Sequence, residues 1–380
     1  MRTTADLLAS VDSIRSVLAE DAPKAEEERK LTARAYRAMY DAGLFGLVAP
    51  KRFGGLELHP ADCLRVWEAV SQIDPSAGWC LVMNQTVAQY ASRLPERGIQ
   101  EIFADGIPTM AGALNPPGRA RRVDGGWRVS GRVPFASGCH HTQWLAMPAS
   151  EEGGTPFGVM FRREDAAIFD TWHTIGMRGT GSADIGVEEL FIPDHMVAPI
   201  CPLTDPPKGF EGPLFRMWPW TAILGEAVVS VAVAGLAVDA VVSLCKSKVP
   251  AYQGTPLKDQ QLPQFLLGKA ASRVEASRDT LHRAATVAHD ELSETGGTLS
   301  TEAKLRLQLA VAFAADACAE AVRLVNDVAG TSSIRIGQPF ERHFRDAHTL
   351  RQHSSKSSPR YGSAGRLMLG LENDWVWLTF

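Results

Sequence analysis

Ala136-Ser137-Gly138 and Arg178-Gly179-Thr180-Gly181-Ser182 are two short turns made of small residues, hydroxyls and one guanidinium. Both interrupt strand-like sequence in which apolar positions alternate, as at Trp127 and Val129 and again at Leu190 and Ile192. Such turns leave backbone amides and hydroxyls close to the surface, where they suit the edge of a planar polar ligand. Histidine supplies the other chemistry. His140 and His141 follow Ser137, and on an extended chain they point to opposite faces, so at most one reaches a ligand. No third donor stands at a usual spacing, so no metal site is expected. Cys139 lacks any neighbouring base that would activate a thiol. Trp144 is placed at the border of the pocket by position alone.

The elements that must hold these residues follow from periodicity. Residues 4–45 and 60–104 repeat apolar positions at helical spacing, with Pro60 and Pro75 near helix starts. From about 109 to 205 the period falls toward two. Residues 202–214 are rich in Pro and Gly and read as a linker, and 218–371 is helical again. The fold class is α+β, with an N-terminal helical domain (1–108), a middle β domain (109–208) and a C-terminal helical bundle (209–380).

Composition bounds the function. The chain has 380 residues, 45% hydrophobic and 22% charged, which is ordinary for a globular protein with an ample core. A formal net charge of −4 argues against nucleic acid or an anionic membrane as the main partner. The densest basic spot, Arg119-Ala120-Arg121-Arg122, reads as a solvated β-turn. Six scattered cysteines without a C-x-x-C pair fit a reduced, cytoplasmic compartment. The N-terminus carries no apolar signal-like segment. The uncharged, apolar stretch Ala227 to Val238 is too short to span a bilayer and reads as a buried helix.

In its order of elements and in five segments the chain resembles the acyl-CoA dehydrogenase superfamily. The segments are Ala42–Gly55, Ala111–Gly118, Phe135–Gly138, Gly176–Ser182 and Arg345-Asp346-Ala347. The resemblance covers essentially the whole chain. It implies a β-barrel-like middle domain, a C-terminal four-helix bundle and a homotetramer. It also implies flavin contacts at Ala113, Leu114, Phe135, Ala136, Ser137, Gly138, Arg178, Thr180 and Ser182.

Dehydrogenation of an acyl thioester needs a carboxylate base. Nine positions after Arg345, where the commonest arrangement places it, stands Ser354, and Thr349 to Leu371 holds no Asp or Glu. Trp218–Thr221, the alternative location, has none either, and Lys248–Gly254 replaces the family's phosphate-gripping Arg motif. Arg351-Gln352-His353-Ser354-Ser355 instead resembles the flavin-dependent monooxygenases of this fold, the oxygenase halves of two-component systems. That resemblance implies FMNH2 or FADH2 delivered by a separate NAD(P)H-dependent flavin reductase, reaction with O2 to a C4a-hydroperoxyflavin, and oxidation of a small, aromatic or polycyclic substrate. Ser137 then bonds the flavin near N5 and His353 manages the proton. No His occurs between His59 and His140, so Asn84 is the polar candidate that the N-terminal helices offer the substrate. Oxidation at carbon, nitrogen or sulfur stays open. The alternatives are an FAD-dependent acyl-CoA dehydrogenase with an unrecognised base and a non-catalytic relative.

Overall fold

The computed structural model describes residues 2–201 and 203–379; Pro202, inside the expected linker, lies outside the described residues. The N-terminal helices are α1 (Thr4–Ser13), α2 (Arg15–Glu28), α3 (Ala33–Asp41), α4 (Pro60–Ser71), α5 (Pro75–Gln89) and α6 (Glu96–Ile102). The strands are β1 (Met110–Gly112), β2 (Gly118–Val123), β3 (Gly126–Val133), β4 (Trp144–Ser150), β5 (Phe157–Arg162), β6 (Ala167–Phe169), β7 (Asp184–Pro193) and β8 (Val197–Pro199). A short α7 (Pro213–Arg216) leads into α8 (Trp220–Ser247), α9 (Gln261–Thr295), α10 (Thr301–Ala329), α11 (Pro339–Leu350), α12 (Pro359–Met368) and α13 (Val376–Thr379).

The strands form one curled mixed sheet in the order β6-β7-β3-β2-β4-β5-β8, with β1 added beside β4. Its pairs are antiparallel except β1 with β4 and β2 with β4. The sequence expectation of a β-rich middle between helical flanks matches this architecture. Two local expectations change. Arg119–Arg122 lies in strand β2 rather than a turn, because Arg121 and Arg122 project to the acids Glu189 and Asp194. Thr171–Ala183 is a loop around a short 3-10 turn, not a strand, and β7 begins only at Asp184.

Apolar packing divides the molecule differently from chain order. Leu7, Trp67 and Leu81 of the N-terminal helices share one core with Val228, Val274 and Val311 of the bundle. The sheet has its own core around Val129, Leu145 and Val159, joined by Ile99 of α6. The first two thirds of helix α8 are almost wholly apolar, and the helix packs against α4, α5, α9, α10 and α11, as a largely hydrophobic helix must in a protein core. It is long and apolar enough to cross a membrane, but more than half of its most apolar stretch is buried inside the protein. Gly225 brings α8 close to its neighbours: a Cβ there would sit 2.5 Å from Val82 Cγ1 and 3.0 Å from the Trp67 ring. That closeness brings the next residue, Glu226, to the inside of the molecule.

Candidate functional site

Helix α5 is the backbone of the site. Asp74 caps it, accepting from the amides of Ser76 and Ala77 at 3.3 and 3.2 Å, and Pro75 occupies the first turn. Gly78 lets α5 lie against Ser71 of α4, since a Cβ would fall 1.9 Å from Ser71 Oγ. Nearly every side chain of α5 is buried, so its polar ones need internal partners. They find them in the two turns. Trp79 Nε1 donates to Ser137 Oγ (2.9 Å), Asn84 Nδ2 donates to Ser137 O (2.8 Å), and Cys80 Sγ donates to Thr180 O (3.4 Å).

The turns are shaped for this. Phe135 and Gly138 take positive φ (66° and 74°), and a Cβ at Gly138 would meet Asn84 Oδ1 at 2.6 Å. Gly138 N donates to Thr180 O at 2.9 Å, which joins the turns directly. The side chains then form a row. Ser137 Oγ lies 2.7 Å from Ser182 Oγ, Ser182 Oγ 2.7 Å from Thr180 Oγ1, and Thr180 Oγ1 donates to Met177 O at 2.8 Å. Donor chemistry fixes the direction. Met177 O can only accept and the Trp79 indole N–H can only donate. The hydroxyl protons therefore run Ser137 to Ser182 to Thr180 to Met177, and Ser137 keeps one lone pair for an outside donor.

On the other side of Trp79 the groups carry charge. The loop after α11 puts the His353 ring edge-on to Trp79, with centroids 5.4 Å apart. His353 Nδ1 lies 2.9 Å from Glu226 Oε2 and 2.8 Å from Ser355 Oγ, and the Ser355 hydroxyl donates to the same Glu226 oxygen. Lys356 is 1% exposed; it donates to Glu226 O at 2.5 Å and Ser230 Oγ at 3.2 Å, and its Nζ sits 5.1 Å from the Trp79 ring centroid. Burial pushes the Lys356 ammonium down to about 8. Burial opposes the charge on Glu226 too, but His353, Lys356 and Ser355 together hold its carboxyl below the ordinary range.

Helix α11 locks the frame. Arg342 reaches Asp74 of α5 (2.8 Å) and Glu26 of α2 (3.0 Å), and Arg345 also binds Glu26 (2.6 Å). Asp346 accepts from Met177 N at 2.5 Å, anchoring the end of the hydroxyl row; burial raises its carboxyl to about 6. The Arg345-Asp346-Ala347 segment thus ties the 176–182 turn to the helices.

The sequence-derived candidates distribute as follows. Ser137, Thr180 and Ser182 come together in the row, with Ala136 and Gly138 buried beneath it and His353 across Trp79. Phe135 is 66% exposed and meets Trp172 edge-on, while Leu114 is 44% exposed and Ala113 half-buried on the loop after β1. Arg178 turns away, donating from Nε to Glu26 O at 3.3 Å. Asn84 is fully buried; its Oδ1 accepts from Tyr36 OH at 3.1 Å, so it braces the Ser137 turn rather than facing open space. His140 and His141 lie in the turn 137–141 rather than on an extended strand. His141 Nε2 donates to Leu31 O at 2.7 Å, and burial pushes His140 down to about 4, so it is uncharged at neutral pH. Trp144 is 2% exposed in the sheet core, covered by the Arg162 guanidinium 3.8 Å from its ring centroid. Cys139 is buried with its thiol pushed up to about 12, as an inert cysteine should be. Lys248 caps the end of α10 through Ala329 O (2.6 Å) and Ser332 Oγ (2.9 Å).

Trp79, Glu226 and Lys356 were missed. Thr349–Leu371 and Trp218–Thr221 are free of acids, as the sequence shows, and the carboxylate beside His353 is Glu226, which arrives from the second turn of α8. Its signal was its isolation, as the one charged residue between Trp220 and Val238. The fit to a flavin rests on exposed apolar surface at Phe135, Ile175 and Leu114 together with a hydroxyl row holding one open acceptor. A flat heteroaromatic ring with N–H groups along one edge needs those features.

An acyl-CoA dehydrogenase N-terminal domain model matches residues 4–96 and an acyl-CoA dehydrogenase C-terminal domain model matches 224–358, together more than half of the chain. A pigment production hydroxylase from Rhodococcus sp. is 29% identical over 366 residues, 93% of each chain. The oxygenase component of an FADH2-dependent resorcinol hydroxylase from Rhizobium sp. is 27% identical, covering 96% of this chain and 94% of its own. Among solved structures, XiaF from Streptomyces sp., in complex with FADH2 and glycerol, has a TM-score of 0.91 at 27% identity, over 98% of this chain and 97% of that one. The chain belongs to the acyl-CoA dehydrogenase superfamily. Within it, the chain stands in the branch of flavin-dependent monooxygenases, and it is an oxidoreductase.

Proposed function

We propose that this chain is the oxygenase component of a two-component monooxygenase that takes FADH2 from a separate flavin reductase and oxidises an aromatic ring, of phenolic or indolic type. The observation that carries it is the pairing of a one-directional hydroxyl row with His353 on opposite sides of Trp79. Bound reduced flavin supplies the two electrons that let O2 deliver one oxygen atom to substrate and the other to water. The chain's residues do the rest. Ser137 accepts a ligand N–H with its spare lone pair, and Phe135 and Ile175 cover an apolar ring face. Nε2 of His353 takes or holds a substrate proton at neutral pH. FADH2 is favoured over FMNH2 because the relatives at 27% identity whose descriptions specify a flavin name FADH2, whereas FMN is named only for a KijD3 structure at 21% identity, which shows the fold alone.

Acyl-CoA dehydrogenation is the weaker reading even with Glu226 present. That carboxyl is 4% exposed and sealed under His353 and Ser355, so no substrate carbon reaches it. Exposed Leu262 and Phe265 on α9 and Leu369 and Leu371 after α12 support a homotetramer.

The test is anaerobic titration with FADH2 and with FMNH2, followed by labelled O2 and a panel of phenols and indoles. Tight FADH2 binding and label in a ring-oxidised product are expected. Failure to bind either reduced flavin overturns the reading. Retention of oxidised FAD that an acyl-CoA reduces without O2 uptake replaces it with dehydrogenation.

A further inference from the structure

The geometry points to Glu226 as the positioning residue of His353: its carboxylate holds Nδ1–H, so that Nε2 is the nitrogen presented for proton transfer. This deepens the oxygenase reading and rests on it for the meaning of that proton, though not for the geometry. Glu226 Oε2 lies 2.9 Å from Nδ1 and also accepts from Ser355. A deprotonated Nδ1 would aim a lone pair at a carboxylate, so the neutral ring carries its hydrogen on Nδ1. Nε2 has no hydrogen-bond partner among the described residues, and the side chain is 38% exposed while Glu226 is buried. The ring is held from the inside and open on the outside.

Three further features make the arrangement specific to one orientation. Trp79 blocks rotation of the ring from one side, edge-on at 5.4 Å. Gln308 Nε2 donates to Ser355 O at 3.0 Å, which fixes the serine that shares the carboxylate. Lys356 donates to the Glu226 backbone carbonyl, and its positive charge also favours the ionised form of the Glu226 carboxyl. The titratable groups facing the pair are Lys356 on the same loop and, behind it, Cys318 of α10, whose thiol burial pushes up to about 12 and keeps neutral.

The experiment is histidine side-chain NMR on the full chain without flavin or substrate, the His353 signal being assigned by its loss in His353→Gln. In the parent protein the neutral ring should show the Nδ1–H tautomer. In Glu226→Gln the imidazolium should lose its proton about tenfold or more easily, the effect expected from removing an opposite charge at this distance. Lys356→Met, which removes the competing cation and keeps the carboxylate, should shift His353 the opposite way. An Nε2–H tautomer in the parent overturns the inference, and so does an unshifted His353 in a folded Glu226→Gln protein. Should Glu226→Gln fail to fold, the parent tautomer and the Lys356→Met shift decide it. None of these readings depends on flavin, so a failed oxygenase assay and a failed positioning role are told apart.

Discussion

The two sides of Trp79 solve the burial of polar groups in opposite ways. Toward the sheet, Ser137, Ser182 and Thr180 are neutral and pass one hydrogen bond along a row that ends on Met177 O. Toward the bundle, Glu226 and Lys356 are ionisable and buried, and with His353 bonded to the carboxylate they are tolerable only as a set. A neutral row costs little to bury, and its useful property is direction, which leaves one acceptor at Ser137. A charged cluster is costly to bury, and its useful property is a proton held at one chosen atom. Loss of a member should hurt the charged side more in stability and the neutral side more in ligand preference.

The largest effect should come from breaking the charged set by one member. Glu226→Ala leaves Lys356 buried without its counter-charge and is expected to cost about 3–5 kcal/mol in urea unfolding. The double variant Glu226→Leu with Lys356→Met should recover most of that, whereas additive losses would show that the two are not coupled. Next comes pH. Lys356 titrates near 8 when folded against 10.5 when free, so between those values the unfolded chain holds more protons. Stability from this group must then rise with pH across that window, by on the order of 3 kcal/mol at most, and Lys356→Met should flatten the slope.

The neutral row should respond less. Ser137→Ala strands the Trp79 N–H and removes the open acceptor, at about 1–3 kcal/mol. Its distinguishing sign is weaker binding of reduced than of oxidised flavin relative to the parent, read by anaerobic titration. Smallest is Thr180→Val, which removes the end of the row. About 1 kcal/mol is expected, with Ser137 now free to donate and the preference for reduced flavin diminished. An unchanged preference would mean the row has no fixed direction.

The sequence carried much of this at the level of turns. Ser137, Thr180 and Ser182 were readable because Gly and Ser interrupt alternating strands, and local rules govern such turns. The Arg345-Asp346-Ala347 segment was readable as a motif, though not its work of joining Arg342 and Arg345 to Glu26. Asn84 and Trp144 were read as pocket residues, yet one braces a turn and the other lies under Arg162 in the sheet core. A position in the chain does not say which side of a packed element faces out.

By itself the sequence determined the helical, β and helical order, the two polar turns and the apolar run that became α8, because each depends on neighbours a few residues apart. Only tertiary structure decided that Trp79 stands between a neutral row and a charged cluster. It alone brought Glu226 of α8 to His353 on a loop far along the chain. The reason is physical: a lone acid in an apolar helix has no stable place until a partner is packed against it, and the partner is chosen by how closely α8 and α5 approach at Gly225.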